Sequence, residues 1–210
     1  MILRLAAALS LLLGTIGVMG YLQLVGESPF SSLAMRELRD GKERHEAPAR
    51  IEPVTIGDFE QLPHGLSPAE YSGIERRGVA IEGYVQRMLR ATDGDVHLEL
   101  TPWPRAGGGY DSMYVTAEIP SWWRGRNPGW SFPALAAAFR PNERGAGSAW
   151  EQGPSRVRVS GWLLYDFQYD APRSAFERAR GVGRVSGWEI HPVTGIERWD
   201  TRDSAWVALR

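Results

Sequence analysis

Apolar and polar positions alternate with the period of a half-buried strand along five stretches of this chain. In the first, Arg77 to Arg90, Val79, Ile81, Gly83 and Val85 alternate with Ala80, Glu82, Tyr84 and Gln86. The glycine inside this long run marks a bend, as where one strand is shared between the two halves of a small barrel. After an Asp-Gly turn, Val96 to Thr101 sets Val96, Leu98 and Leu100 against His97, Glu99 and Thr101. Tyr114 to Ile119 sets Val115, Ala117 and Ile119 against Thr116 and Glu118. Pro133 to Phe139 reads as a short helix with proline at its start and an alanine-rich packing face. Arg156 to Asp166 is a strand with a second glycine bend at Gly161, and Trp188 to Glu197 is a last strand bulged at Pro192. Three strands, a helix and two more strands predict a mainly β chain: a five-stranded OB-like Greek-key barrel with a short helix between strands 3 and 4.

The ends of the pattern add detail. Residues 1–25 are expected to form an N-terminal apolar helix, with an uncharged run from Leu5 to Leu22 behind Arg4. That length suits a membrane anchor through residues 2–24, and a cleaved signal peptide is the competing reading. Arg4 on the inner side sets the domain on the periplasmic or extracellular side as a single-pass protein, or makes it secreted if the segment is cleaved. Residues 26–53 are charged and proline-punctuated, and read as a tether; the barrel domain is expected over 54–210. Val54 to Gln61 suggests a short edge strand. Ser67-Pro68-Ala69-Glu70 has the form of a helix-starting capping box, and Arg173 to Ala179 suggests a further helix.

Charge and composition narrow the function. With 24 basic and 25 acidic residues the net charge is −1, which disfavours a free nucleic-acid binder without excluding one. Lys42 is the only lysine. The absence of cysteine removes disulfides, thiolate metal sites and a cysteine nucleophile. No phosphate-binding loop, dinucleotide fingerprint or nucleophile elbow is present, so no cofactor is expected.

The segments Gly94–Leu100 (GDVHLEL), Ala117–Pro120 (AEIP), Arg156–Asp166 (RVRVSGWLLYD) and Trp188–Glu197 (WEIHPVTGIE) together resemble a group of poorly characterised bacterial OB-like domains. The resemblance spans about Gly78 to Glu197 and carries no activity with it. Better-known OB proteins imply oligonucleotide or oligosaccharide binding on the face of strands 2 and 3, an implication from fold alone.

Two groups of residues are candidates for chemistry. If apolar faces point inward, His97, Glu99, Glu118, Glu189 and His191 point outward on strands 2, 3 and 5, which adjoin in an OB barrel. Two imidazoles and three carboxylates suit a divalent metal or an acid–base pair. No tight ligand spacing such as H-E-x-x-H accompanies them, so the expectation is solvated residues on a half-exposed sheet, with no metal. Asp93 and Asp95 read as turn residues, lacking the calcium-loop pattern. The second group, Trp122, Trp123, Arg124 and Arg126, is read as a loop after strand 3 that stacks bases or sugars, rests on the membrane surface, or packs as a satellite core. The leading expectation is a non-enzymatic binding or interaction module for an unknown protein or small ligand. A nucleic-acid or oligosaccharide binder using the strand 3 loop is the first alternative, and a metal-dependent hydrolase the second.

Overall fold

A computed structural model of the chain describes residues 33–91, 93–103, 113–139, 155–169 and 183–210. The expected N-terminal apolar helix, the glycine loop at 107–109 and the helix expected over 173–179 lie outside the described residues. Met1–Glu37 and Leu38–Arg210 are separate compact units. In the first, residues 33–37 open helix α1 (Leu33–Lys42); the second holds everything below. Among the described residues no helix is long and apolar enough to cross a membrane.

The long first barrel strand, β2 (Gly78–Arg90), is shared as its glycine suggests. Its first half pairs antiparallel with β5 (Arg156–Tyr165) and its second half with β3 (Val96–Thr101). A Cβ at Gly83 would stand 2.7 Å from the Thr101 carbonyl oxygen, so glycine there lets the two strands approach where β2 changes partners. The register break itself falls slightly later, between Val85 and Arg87. β4 (Met113–Ile119) pairs with β3, and β7 (Trp188–Asp200) pairs with β5. A parallel contact between Ala117 of β4 and Ile190 of β7 closes the barrel. The result is the expected closed five-stranded barrel with its helix, α5 (Phe132–Phe139), between strands 3 and 4. A cis peptide joins His191 to Pro192 in β7.

Period-two alternation builds the core as expected. Ile81, Val85, Val96, Leu98, Leu100, Val115, Ala117, Ile119, Val157 and Val159 are all 0% exposed. Burying each of the larger ones is worth about 1.5–3 kcal/mol relative to leaving it in water. Leu135 and Phe139 of α5, and Trp130 from a preceding 3-10 turn, join the same core.

Several local expectations change. The edge strand lies earlier, at β1 (Ile51–Val54), and runs parallel to the start of β2. Ile56–Gln61 is instead a helix, α2, because Thr55 and Asp58 form a capping box. Asp58 Oδ2 accepts the Thr55 N–H at 2.6 Å, and Ile56 and Phe59 turn into the core. The Ser67 box does start a helix, α3 (Pro68–Ile74): Glu70 Oε2 accepts the Ser67 N–H at 2.8 Å. Trp122 to Arg126 is not a loop but a short helix, α4 (Ser121–Arg126), since Pro120 ends β4 and enters a turn of helix. The pattern also leaves out β6 (Gly183–Arg184), which pairs with β4, and β8 (Ala205–Ala208), which extends β7 into a hairpin.

The segment read as a tether is bound to the barrel from Leu38 onward. Backbone carbonyls of Arg44, His45 and Glu46 accept from Trp123 Nε1 at 3.2 Å, Arg126 Nη1 at 2.8 Å and Trp162 Nε1 at 2.6 Å. Arg44 in turn donates to the Glu75 carbonyl at 2.9 Å. Consecutive peptide groups held in this way are fixed to the domain surface.

Candidate functional site

Strand register brings the first group of candidates together. His97 of β3 pairs with Glu118 of β4, and Ala117 of β4 with Ile190 of β7. Glu118 therefore sits in a row between His97 on one side and Glu189 and His191 on the other. These five side chains share the barrel's outer surface, as their alternation implies, but the solvated reading fails. Glu99 is 5% exposed, Glu118 3%, His191 1% and Glu189 0%. The cause is covering by charged side chains from outside the three strands, which strand periodicity cannot show.

Lys42, at the end of α1, reaches Asp166 just past β5 at 2.7 Å and Glu118 at 3.9 Å. Arg184 of β6 pairs with Glu189, and Arg87 of β2 pairs with Glu99. His191 Nδ1 lies 2.8 Å from Glu118 Oε2 and 3.5 Å from Glu189 Oε1, while His97 Nδ1 lies 3.4 Å from Glu118 Oε1. Asp95, in the turn before β3, accepts the Ser121 N–H at 3.1 Å. It completes a group in which one ligand atom each from Asp95, Glu118 and His191 lie within 4.8 Å of one another.

The electrostatics follow from crowding of carboxylates in a dry place. Burial works against the Glu118 carboxylate, yet hydrogen bonding and charge from His191, with His97 and Lys42, hold its pKa below the usual range. Burial likewise works against the His191 imidazolium, and Glu118 and Glu189 overcome it, so its pKa rises. Lys42 is raised in the same way by Glu189, Glu118 and Asp166 against its own desolvation. Asp95 is raised, first by burial and then by Asp93, which outweigh the Ser121 N–H bond and the His191 charge that act to lower it. Tyr114 is pushed up to about 12 by burial and then by the Glu99 charge.

The second group of candidates is not joined to this cluster. Trp123 is buried and Trp122 half-buried, with the Trp122 ring 5.3 Å from that of His45. Arg126 lies over the Trp123 ring at 5.1 Å, and Arg124 donates to the Gly94 carbonyl. All four contact the chain's own residues, holding the 44–46 segment and the β2–β3 turn.

Sequence reasoning took Asp95 for a turn residue and gave Asp166, Lys42 and Arg184 no part in a site. One signal was available: Asp95-x-His97 and Glu189-x-His191 each repeat a carboxylate and an imidazole at the spacing that shares a strand face. Lys42, Asp166 and Arg184 lie outside the three strands and carry no such spacing.

No family model matches this chain, and no curated protein matches it. Among solved structures, asparaginyl-tRNA synthetase from Pyrococcus horikoshii, complexed with asparaginyl-adenylate, is 20% identical at a TM-score of 0.30, over 58% of this chain and 19% of that one. This chain thus spans under a fifth of the synthetase. An OBody, AM3L09, bound to hen egg-white lysozyme, is 15% identical at a TM-score of 0.32, over 63% of this chain and 91% of that one. The barrel is established here by its strand pairing.

Proposed function

We propose that this chain is a non-enzymatic OB-barrel binding module that takes a small cation at the outer face of β3, β4 and β7. One observation carries the reading: among the described residues, four buried carboxylates, Asp95, Glu118, Asp166 and Glu189, face two permanent cations, Lys42 and Arg184, and the His191 imidazole. Glu99 is neutralised separately by Arg87. Buried carboxylates without matched charge are costly, and a bound cation removes that cost. The same acidity disfavours the nucleic-acid alternative, because this face would repel phosphates. The Trp122–Arg126 helix gives that alternative little support, since Trp123, Arg124 and Arg126 donate to the chain's own backbone and the Trp122 ring lies 5.3 Å from that of His45. For residues 2–24 the membrane anchor remains the proposal, supported by the uncharged run from Leu5 to Leu22.

Thermal melting of the full chain tests the reading. Divalent metal ions or organic ammonium ions such as putrescine should raise Tm with increasing concentration, as ligands of the native state do. Single-stranded oligonucleotides should leave it unchanged. If neither class of cation raises Tm, or if an oligonucleotide does, the reading is wrong.

A further inference from the structure

The cation-site reading can be carried to a specific ion and donor set, and the inference rests on that reading. We propose that Asp95, Glu118 and His191 form a divalent transition-metal site, with His97 as a fourth donor.

The geometry is that of a site assembled from three elements. Asp95 comes from the β2–β3 turn, Glu118 from β4 and His191 from β7, and their ligand atoms already lie within 4.8 Å of one another. Around an ion with bonds of about 2.0–2.2 Å, tetrahedral donors stand about 3.4 Å apart. The donors must therefore close by roughly an ångström. Asp95 stands in the β2–β3 turn, whereas Glu118 and His191 stand on paired strands, so the approach falls to the Asp95 side chain. His97 shares a face with Asp95 two residues away and lies 3.4 Å from Glu118 Oε1.

A second observation, independent of the clustering, points to an absent partner. His191 Nε2 is buried with no hydrogen-bond partner on a side chain 1% exposed, and Glu118 Oε1, on a side chain 3% exposed, has only the His97 ring nitrogen 3.4 Å away and no hydrogen bond. Buried polar atoms in native proteins are nearly always bonded. Both atoms belong to residues of the three-residue cluster.

The donor chemistry selects the ion. Imidazole with carboxylate and no thiolate suits Zn²⁺, Mn²⁺ or Fe²⁺, and disfavours Ca²⁺, which takes oxygen ligands alone. Formal charge agrees. Two positive charges added to Lys42 and Arg184 match the four carboxylates Asp95, Glu118, Asp166 and Glu189, with the histidine as a neutral ligand.

The test is calorimetric titration of the full chain, stripped with chelator and returned to chelator-free buffer, with Zn²⁺ as probe. The expected result is saturable binding of one ion per chain. Asp95→Asn should weaken it at least tenfold. Its amide oxygen can still accept the Ser121 N–H, so this variant is expected to fold. His97→Gln should weaken binding less, while Asp93→Asn and the double variant His45→Gln/His64→Gln should bind as the wild type does. Co²⁺ in place of Zn²⁺ should give a visible absorption band that D95N lacks. Absence of saturable Zn²⁺ binding would overturn the assignment, as would D95N binding like wild type, or loss of binding in the H45Q/H64Q variant. If Zn²⁺ fails but putrescine raises Tm, the metal assignment falls and the cation-binding module stands. If neither has any effect, both fall.

Discussion

At the scale of single residues, two parts of the barrel's outer surface treat a carboxylate differently. Glu118 is sealed beneath other charges, whereas Glu82, on the outer face of β2, meets its partners near water. Its Oε1 accepts from Arg158 Nη2 at 2.7 Å and Nε at 3.1 Å, and Oε2 accepts from Arg156. Partial burial acts to raise the Glu82 pKa, but the bonds from Arg158 and Arg156 prevail and lower it. A depressed carboxylate pKa stabilises the fold above the unfolded value, near 4.5, and that stability is lost as pH falls through the folded value. Glu82→Gln should therefore lower stability at pH 7 by about 1 kcal/mol or less, since solvent screens an exposed pair. Urea unfolding should show the deficit closing as the pH falls below about 4. A deficit independent of pH would mean that packing, not charge, is what Glu82 supplies.

At the scale of elements, glycines decide how closely strands can pass. A Cβ at Gly161 would stand 2.2 Å from the Pro192 carbonyl oxygen and 2.8 Å from Ile190 Cγ2, beside the register shifts between β5 and β7. Gly161→Ala should then cost about 1–3 kcal/mol by forcing the two strands apart. Gly125→Ala in α4 meets nothing within 4 Å and replaces a helical glycine. It should be neutral or stabilise by up to about 1 kcal/mol. Chemical denaturation of both variants measures the contrast, and equal effects would refute the close-approach argument. Gly161 was legible in the sequence because it interrupts an otherwise β-branched run. The alternation of VHLELT was legible for the same kind of reason: period two needs only neighbouring residues to be read. β1 was misplaced because it precedes Thr55, whose capping role depends on Asp58 bonding back to it. Nor could periodicity show that the outward face of β3, β4 and β7 is covered, because Lys42 and Asp166, which help to cover it, lie far from it along the chain.

At the scale of the whole compact unit, the covering of that face depends on a segment that composition marks as a solvated tether. The charged, proline-punctuated stretch before β1 looks like a linker by every local measure, yet Lys42 places its ammonium beside a fully buried Asp166. A buried carboxylate that loses its cation is left uncompensated, at a cost of about 3 kcal/mol. Lys42→Met should therefore destabilise the domain by about that amount, and Asp166→Asn by a comparable amount. If the pair is what joins residues 38–53 to the barrel, the double variant K42M/D166N should be less damaging than the sum of the two single ones. The difference should be at least about 1 kcal/mol by denaturant unfolding, as for directly contacting residues. Strict additivity would instead mean that the segment is held by its other attachments: the Trp123, Arg126 and Trp162 bonds to its carbonyls, the Arg44 bond to Glu75 and the pairing of β1 with β2. In that case Lys42 would only screen the acidic face, and changing it would alter cation affinity without loosening the fold.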